Sequence, residues 1–83
     1  MSLKVTFGGP LVRFKPLDSK GNTAIVDSAE GLTVITLLEN LGVPKEQRLL
    51  TILNGAVIPA EAYRATLLSD GDDLALMPPI QAG

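Results

Sequence analysis

Leu32-Thr33-Val34-Ile35-Thr36-Leu37-Leu38-Glu39-Asn40-Leu41-Gly42-Val43-Pro44 is the one stretch of this chain that reads convincingly as a helix. Val34, Leu37, Leu38 and Leu41 fall at i, i+3, i+4 and i+7, the spacing of a single apolar face. Thr33 stands before them as an N-cap, a residue whose side-chain oxygen accepts from a free N–H of the first turn. Gly42 suits the left-handed position just past the end, and Pro44 bars continuation. A helix of about ten residues is marginal on its own, so its apolar face must lie against a sheet.

The strands of that sheet are found on both sides of the helix. Leu3, Val5 and Phe7 alternate with Lys4 and Thr6, the period-two pattern of a half-buried strand, and Gly8-Gly9-Pro10 breaks it. From Leu11 to Asn22 no element is clear. Val12 and Phe14 are expected to cap one end of the core, and Ser19-Lys20-Gly21-Asn22 is turn chemistry. Thr23 to Asp27 reads as a second strand, and pairing with the first would make a hairpin with a long loop. Beyond the helix, Leu49 to Leu53 is apolar on both faces and reads as a central strand. Asn54-Gly55 predicts a tight turn into Ala56-Val57-Ile58, since both residues tolerate positive φ. Pro59 ends that segment, Ala60 to Leu68 is a connection with one helical turn, and Asp70-Gly71 turns into a last strand from Asp73 to Met77.

One helix among these strands predicts an α+β fold of the β-grasp (ubiquitin-like) kind, a mixed four- to five-stranded sheet crossed by one main helix. The helix is the crossover that makes the first and last strands parallel neighbours in the middle. The expected organisation is a single domain over 1–79 with a flexible C-terminal tail over 80–83.

Composition narrows the function. Eighty-three residues make one small domain with little room for an internal active site. The aromatic residues are only Phe7, Phe14 and Tyr63, so the core must be built from Leu, Ile, Val and Ala; Tyr63 is expected to pack with its hydroxyl in water. Cysteine and histidine are both absent, which removes disulfides, thiolate nucleophiles, the usual zinc sites and imidazole bases. A net charge of −2, with seven scattered basic residues, argues against nucleic acid. No apolar run is long enough for a membrane span, and Met1-Ser2-Leu3-Lys4 opens no signal peptide. A cytoplasmic protein, monomeric when free, is the expectation.

The end of the chain carries more than composition does. After Leu74-Ala75-Leu76-Met77, two prolines stop the strand and Ile80-Gln81-Ala82-Gly83 follows, expected to project as a tail without a further packed element. Leu53-Asn54-Gly55 followed by an apolar pair, Leu68-Ser69-Asp70-Gly71-Asp72, Leu74-Ala75-Leu76-Met77-Pro78-Pro79 and a short tail closing on glycine make up a run that resembles the ThiS/MoaD group of ubiquitin-like sulfur carriers. That group holds the thiamine-biosynthesis carrier and the small subunit of molybdopterin synthase. The resemblance extends over essentially the whole chain.

What it implies is a carrier with no catalytic side chains of its own and no bound cofactor or metal. A partner adenylating enzyme of the ubiquitin-activating type would use ATP to join AMP to the Gly83 carboxylate, and sulfur transfer would give a thiocarboxylate. A sulfur-acceptor synthase would then receive the sulfur, in thiamine or molybdopterin-type cofactor biosynthesis. Pro79, Ile80, Gln81 and Ala82 would thread the partner's channel, with Pro78-Pro79 stiffening the exit. Leu74 and Leu76 should face the helix, leaving Ala75 and Met77 on the open face, where they and Val57 would form the partner-binding surface. The family pattern ends Gly-Gly where this chain has Ala82-Gly83; the extra methyl disfavours positive φ by roughly 1 kcal/mol.

Plainer readings stand beside these. A short terminus usually frays, and single apolar residues are often exposed without purpose. Asp70, Asp72 and Asp73 suit turns as well as contacts with a basic surface. Three clustered aspartates without further oxygen ligands are not a metal site. Two rival functions follow: a β-grasp interaction module without carrier chemistry, favoured by Ala82, and a ubiquitin-like protein modifier acting on lysine amines.

Overall fold

The computed structural model describes residues 1–16 and 21–79; Ser19 and Lys20 of the expected turn, and the tail Ile80-Gln81-Ala82-Gly83, lie outside them. Five strands form one mixed sheet: β1 Ser2–Phe7, β2 Thr23–Asp27, β3 Leu50–Leu53, β4 Ala56–Ile58 and β5 Asp73–Met77, in the order β2-β1-β5-β3-β4. β1 is antiparallel to β2 and parallel to β5, while β3 is antiparallel to both β5 and β4. The first and last strands are therefore central neighbours, as the single crossover helix requires.

That helix, α1, runs Val34–Asn40. It is shorter than the ten residues of the apolar pattern because the flanking residues serve as caps. Thr33 is extended, with φ −98° and ψ 163°, and its hydroxyl accepts from the Thr36 N–H. The Val34 and Ile35 N–H groups, which a helix start leaves without intrahelical partners, donate to the carbonyls of Thr66 and Tyr63. At the other end Gly42 donates to Glu39 O and Val43 to Leu38 O, the paired bonds of a Schellman cap.

Strand alternation sends Leu3, Val5 and Phe7 of β1, Ala24 of β2, and Leu74 and Leu76 of β5 to the same side, in register: Val5 lies opposite both Ala24 and Leu74, and Phe7 opposite Leu76. With Val34, Leu37 and Leu38 of α1 they form one buried core.

Two expectations about this core are corrected. Gly9–Phe14 is a 3-10 turn, in which residues three apart share a side. Leu11 is therefore the buried residue, with Phe14 half-buried beneath the Arg13 guanidinium, while Val12 is turned out to solvent. Tyr63 does pack, but its hydroxyl is not in water. It lies 2.8 Å from the Oγ1 of Thr51, a fully buried residue on the helix side of β3 that needs a polar partner.

Candidate functional site

The open face of the sheet is set by the same alternation. Thr6 lies opposite Ala75, Ala75 opposite Ile52, and Ile52 opposite Val57, so one row crosses β1, β5, β3 and β4. The next row pairs Met77 with Leu50. Ala75, Met77, Ile52 and Leu50 are half-buried, and Val57 is 58% exposed. Ala75, Met77 and Val57 thus share one face, as expected, but they become a continuous surface only through Ile52 and Leu50.

The outward place of those two residues is not legible in the sequence, because 49–53 reads as apolar on both faces. Thr51 was the available clue. Its position opposite Leu76 puts it on the core side and turns Leu50 and Ile52 outward. The remainder of the face, on β1 and β2, carries Lys4, Thr6, Thr23 and Asp27, with Ile25 an isolated exposed apolar residue. The apolar surface is confined to the β5–β3–β4 half.

β5 stops beside this half-face. Pro78 and Pro79 have no N–H to donate, so the ladder ends at Met77. On the β1 side, the Gly8 N–H donates to Leu76 O at 2.8 Å, and Pro78 lies against Gly9. On the helix side, Pro79 forms part of the wall of a cleft of about 530 Å³ together with Leu38, Val43, Leu49, Tyr63 and Arg64. Pro79, the last described residue, therefore lies between the apolar half-face and this cleft.

At its other end β5 is held by turn chemistry. Asp72 accepts from the Ser69 N–H and from the Asn54 side-chain amide, and Oδ1 of Asn54 accepts from the Asp73 N–H. Asp70 accepts from the Ser2 N–H. Asp70 and Asp72 are accordingly parts of turns, and Asp73 is exposed at the strand start. Among the described residues no cluster of His, Cys, Asp or Glu is placed to hold a metal ion, and no helix is long and apolar enough to cross a membrane.

This geometry has relatives. The ThiS family profile matches residues 13–83. The crystal structure of the thiamine biosynthesis protein ThiS from Geobacter metallireducens is 31% identical, with both chains covered in full and a TM-score of 0.69. SAMP1 from Haloferax volcanii shares 20% identity over the full length of both chains, with a TM-score of 0.69. A chain from the complex of subunits 1 and 2 of the molybdopterin-converting factor from Helicobacter pylori shares 23% identity, again over both full chains, with a TM-score of 0.64. The latter two likenesses concern the fold alone, which is the ubiquitin-like β-grasp. Comparison with curated protein sequences finds no match.

Proposed function

Because this chain belongs to the ThiS family and has the fold of its ubiquitin-like sulfur carriers, we propose that it carries sulfur as a thiocarboxylate on Gly83. The observation that carries the reading is the family match running through residue 83, behind a strand that ends beside an apolar half-face.

A carboxylate is a poor electrophile until it bears a good leaving group. In the proposed sequence, the Gly83 carboxylate attacks the α-phosphorus of ATP on a partner adenylating enzyme. Pyrophosphate leaves and an acyl–AMP anhydride remains. A hydrosulfide-level nucleophile then attacks the acyl carbon and AMP departs, leaving the thiocarboxylate. The chain supplies no acid–base group to these steps. Its part is to deliver the reacting end, with Leu50, Ile52, Val57, Ala75 and Met77 as the docking face and Pro79, Ile80, Gln81 and Ala82 threading the channel. A synthase for a sulfur-containing cofactor of the thiamine or molybdopterin type accepts the sulfur. The carrier acts as a cytoplasmic monomer between these partners.

The test is intact mass after incubation with an adenylating partner, ATP and a sulfur donor. A gain of about 16 Da, oxygen replaced by sulfur, that disappears on deletion of Gly83 is the expected result. No mass change with any such partner sinks the carrier reading in favour of an interaction module, the role that Ala82 favours. Lysine-linked adducts in extracts identify a protein modifier instead.

A further inference from the structure

We infer that Gly8 is a positioning residue for tail activation, acting through the side chain of Met77; this rests on the carrier reading above. Gly8 has φ −93° and ψ 144°, an extended conformation open to any residue. The backbone does not ask for glycine here. Space does: a Cβ on Gly8 would overlap the Met77 sulfur and stand 3.5 Å from both the Met77 methyl and the Leu76 carbonyl oxygen. The thioether of Met77 therefore lies over the bare Cα of Gly8.

This placement has two consequences. It lays the Met77 thioether over the end of β1, at the border of the apolar half-face, while Leu50 stands opposite Met77 on the other flank of β5. It also sets the residue immediately before Pro78, whose backbone proline already restricts. The Gly8 N–H bond to Leu76 O holds the two strand ends together at 2.8 Å, so the contact is built on fixed backbone. The only group that must yield to a Cβ is the flexible end of a methionine. Gly8→Ala should therefore spare the fold and disturb the docking face.

The experiment uses the full chain with the Met77 methyl carbon-labelled and assigned by its loss in Met77→Ala. Gly8→Ala should move the Met77 methyl resonance while the melting temperature changes by no more than about 4 °C. With an adenylating partner, Gly8→Ala should raise the KM for the carrier roughly three- to tenfold and leave kcat unchanged. In a Met77→Ala background the same substitution should add nothing, because residues acting through one contact are non-additive. An unmoved methyl resonance, or a full and additive effect of Gly8→Ala in the Met77→Ala background, overturns the inference. Failure of the wild-type chain to be adenylated overturns the carrier reading instead. The methyl resonance, read without any partner, then still decides whether Gly8 places Met77.

Discussion

The side-chain amide of Asn54 lies 3.0 Å from the carboxylate of Asp72, tying the β3–β4 turn to the turn that starts β5. Asn54 is the one residue other than glycine with positive φ among those described, at +50°, followed by Gly55 at +87°. Its backbone N–H also donates to Asp73 O. The strand that runs into Pro78 and Pro79 is thus anchored at its start by a side chain from a separate hairpin.

Asn54→Ala should lower stability by about 1–2 kcal/mol, since it loses two side-chain bonds and places alanine at positive φ. Asn54→Gly keeps the turn geometry and should cost less. Urea denaturation of the two variants separates the conformational part from the bonding part; equal losses would show that the turn conformation contributes little.

Tyr63→Phe leaves the buried Thr51 hydroxyl without its partner and should cost about 1–3 kcal/mol. Thr51→Val should cost a similar amount. Removing both at once should cost less than the sum, because no orphaned hydroxyl then remains. Chemical denaturation of the double-mutant cycle measures the difference, and strict additivity would mean the pair is not coupled.

Two isoleucines on the same open face test the docking half. Ile52→Asp places a charge in the apolar row between Ala75 and Val57 and should raise the partner enzyme's KM for the carrier by at least roughly tenfold. Ile25→Asp, on the polar β2 edge and 64% exposed, should leave KM unchanged. Equal effects would place the docking surface elsewhere. Steady-state pyrophosphate release reads both.

Ala82→Gly restores the Gly-Gly ending of the family pattern. It should raise kcat/KM for adenylation roughly fivefold, the equivalent of the ~1 kcal/mol that alanine loses at positive φ. An unchanged rate would indicate that the penultimate residue binds extended, where alanine and glycine are equivalent.

Legibility was uneven along the chain, and the reasons are local. β1 is found where alternation puts it, β2 and β5 have the bounds read for them, and Thr33, Gly42 and the Asn54-Gly55 turn act as their types suggest, because a cap or a tight turn is set by bonds within a few residues. Val12 went wrong for the same kind of reason. The break at Gly8-Gly9-Pro10 hid a 3-10 turn, whose threefold repeat buries Leu11 in place of Val12.

By itself the sequence determined the five strands and the main helix, their order, and the parallel pairing of first and last strands. These depend on periodicity, on caps and on the short reach of one crossover. Only the tertiary structure decided which face each residue of 49–53 shows, what the Tyr63 hydroxyl bonds, and that Gly8 lies beneath Met77. Those relations join residues far apart in the chain. They arise from sheet register, and a single-residue shift in register would reverse every one of them on β3.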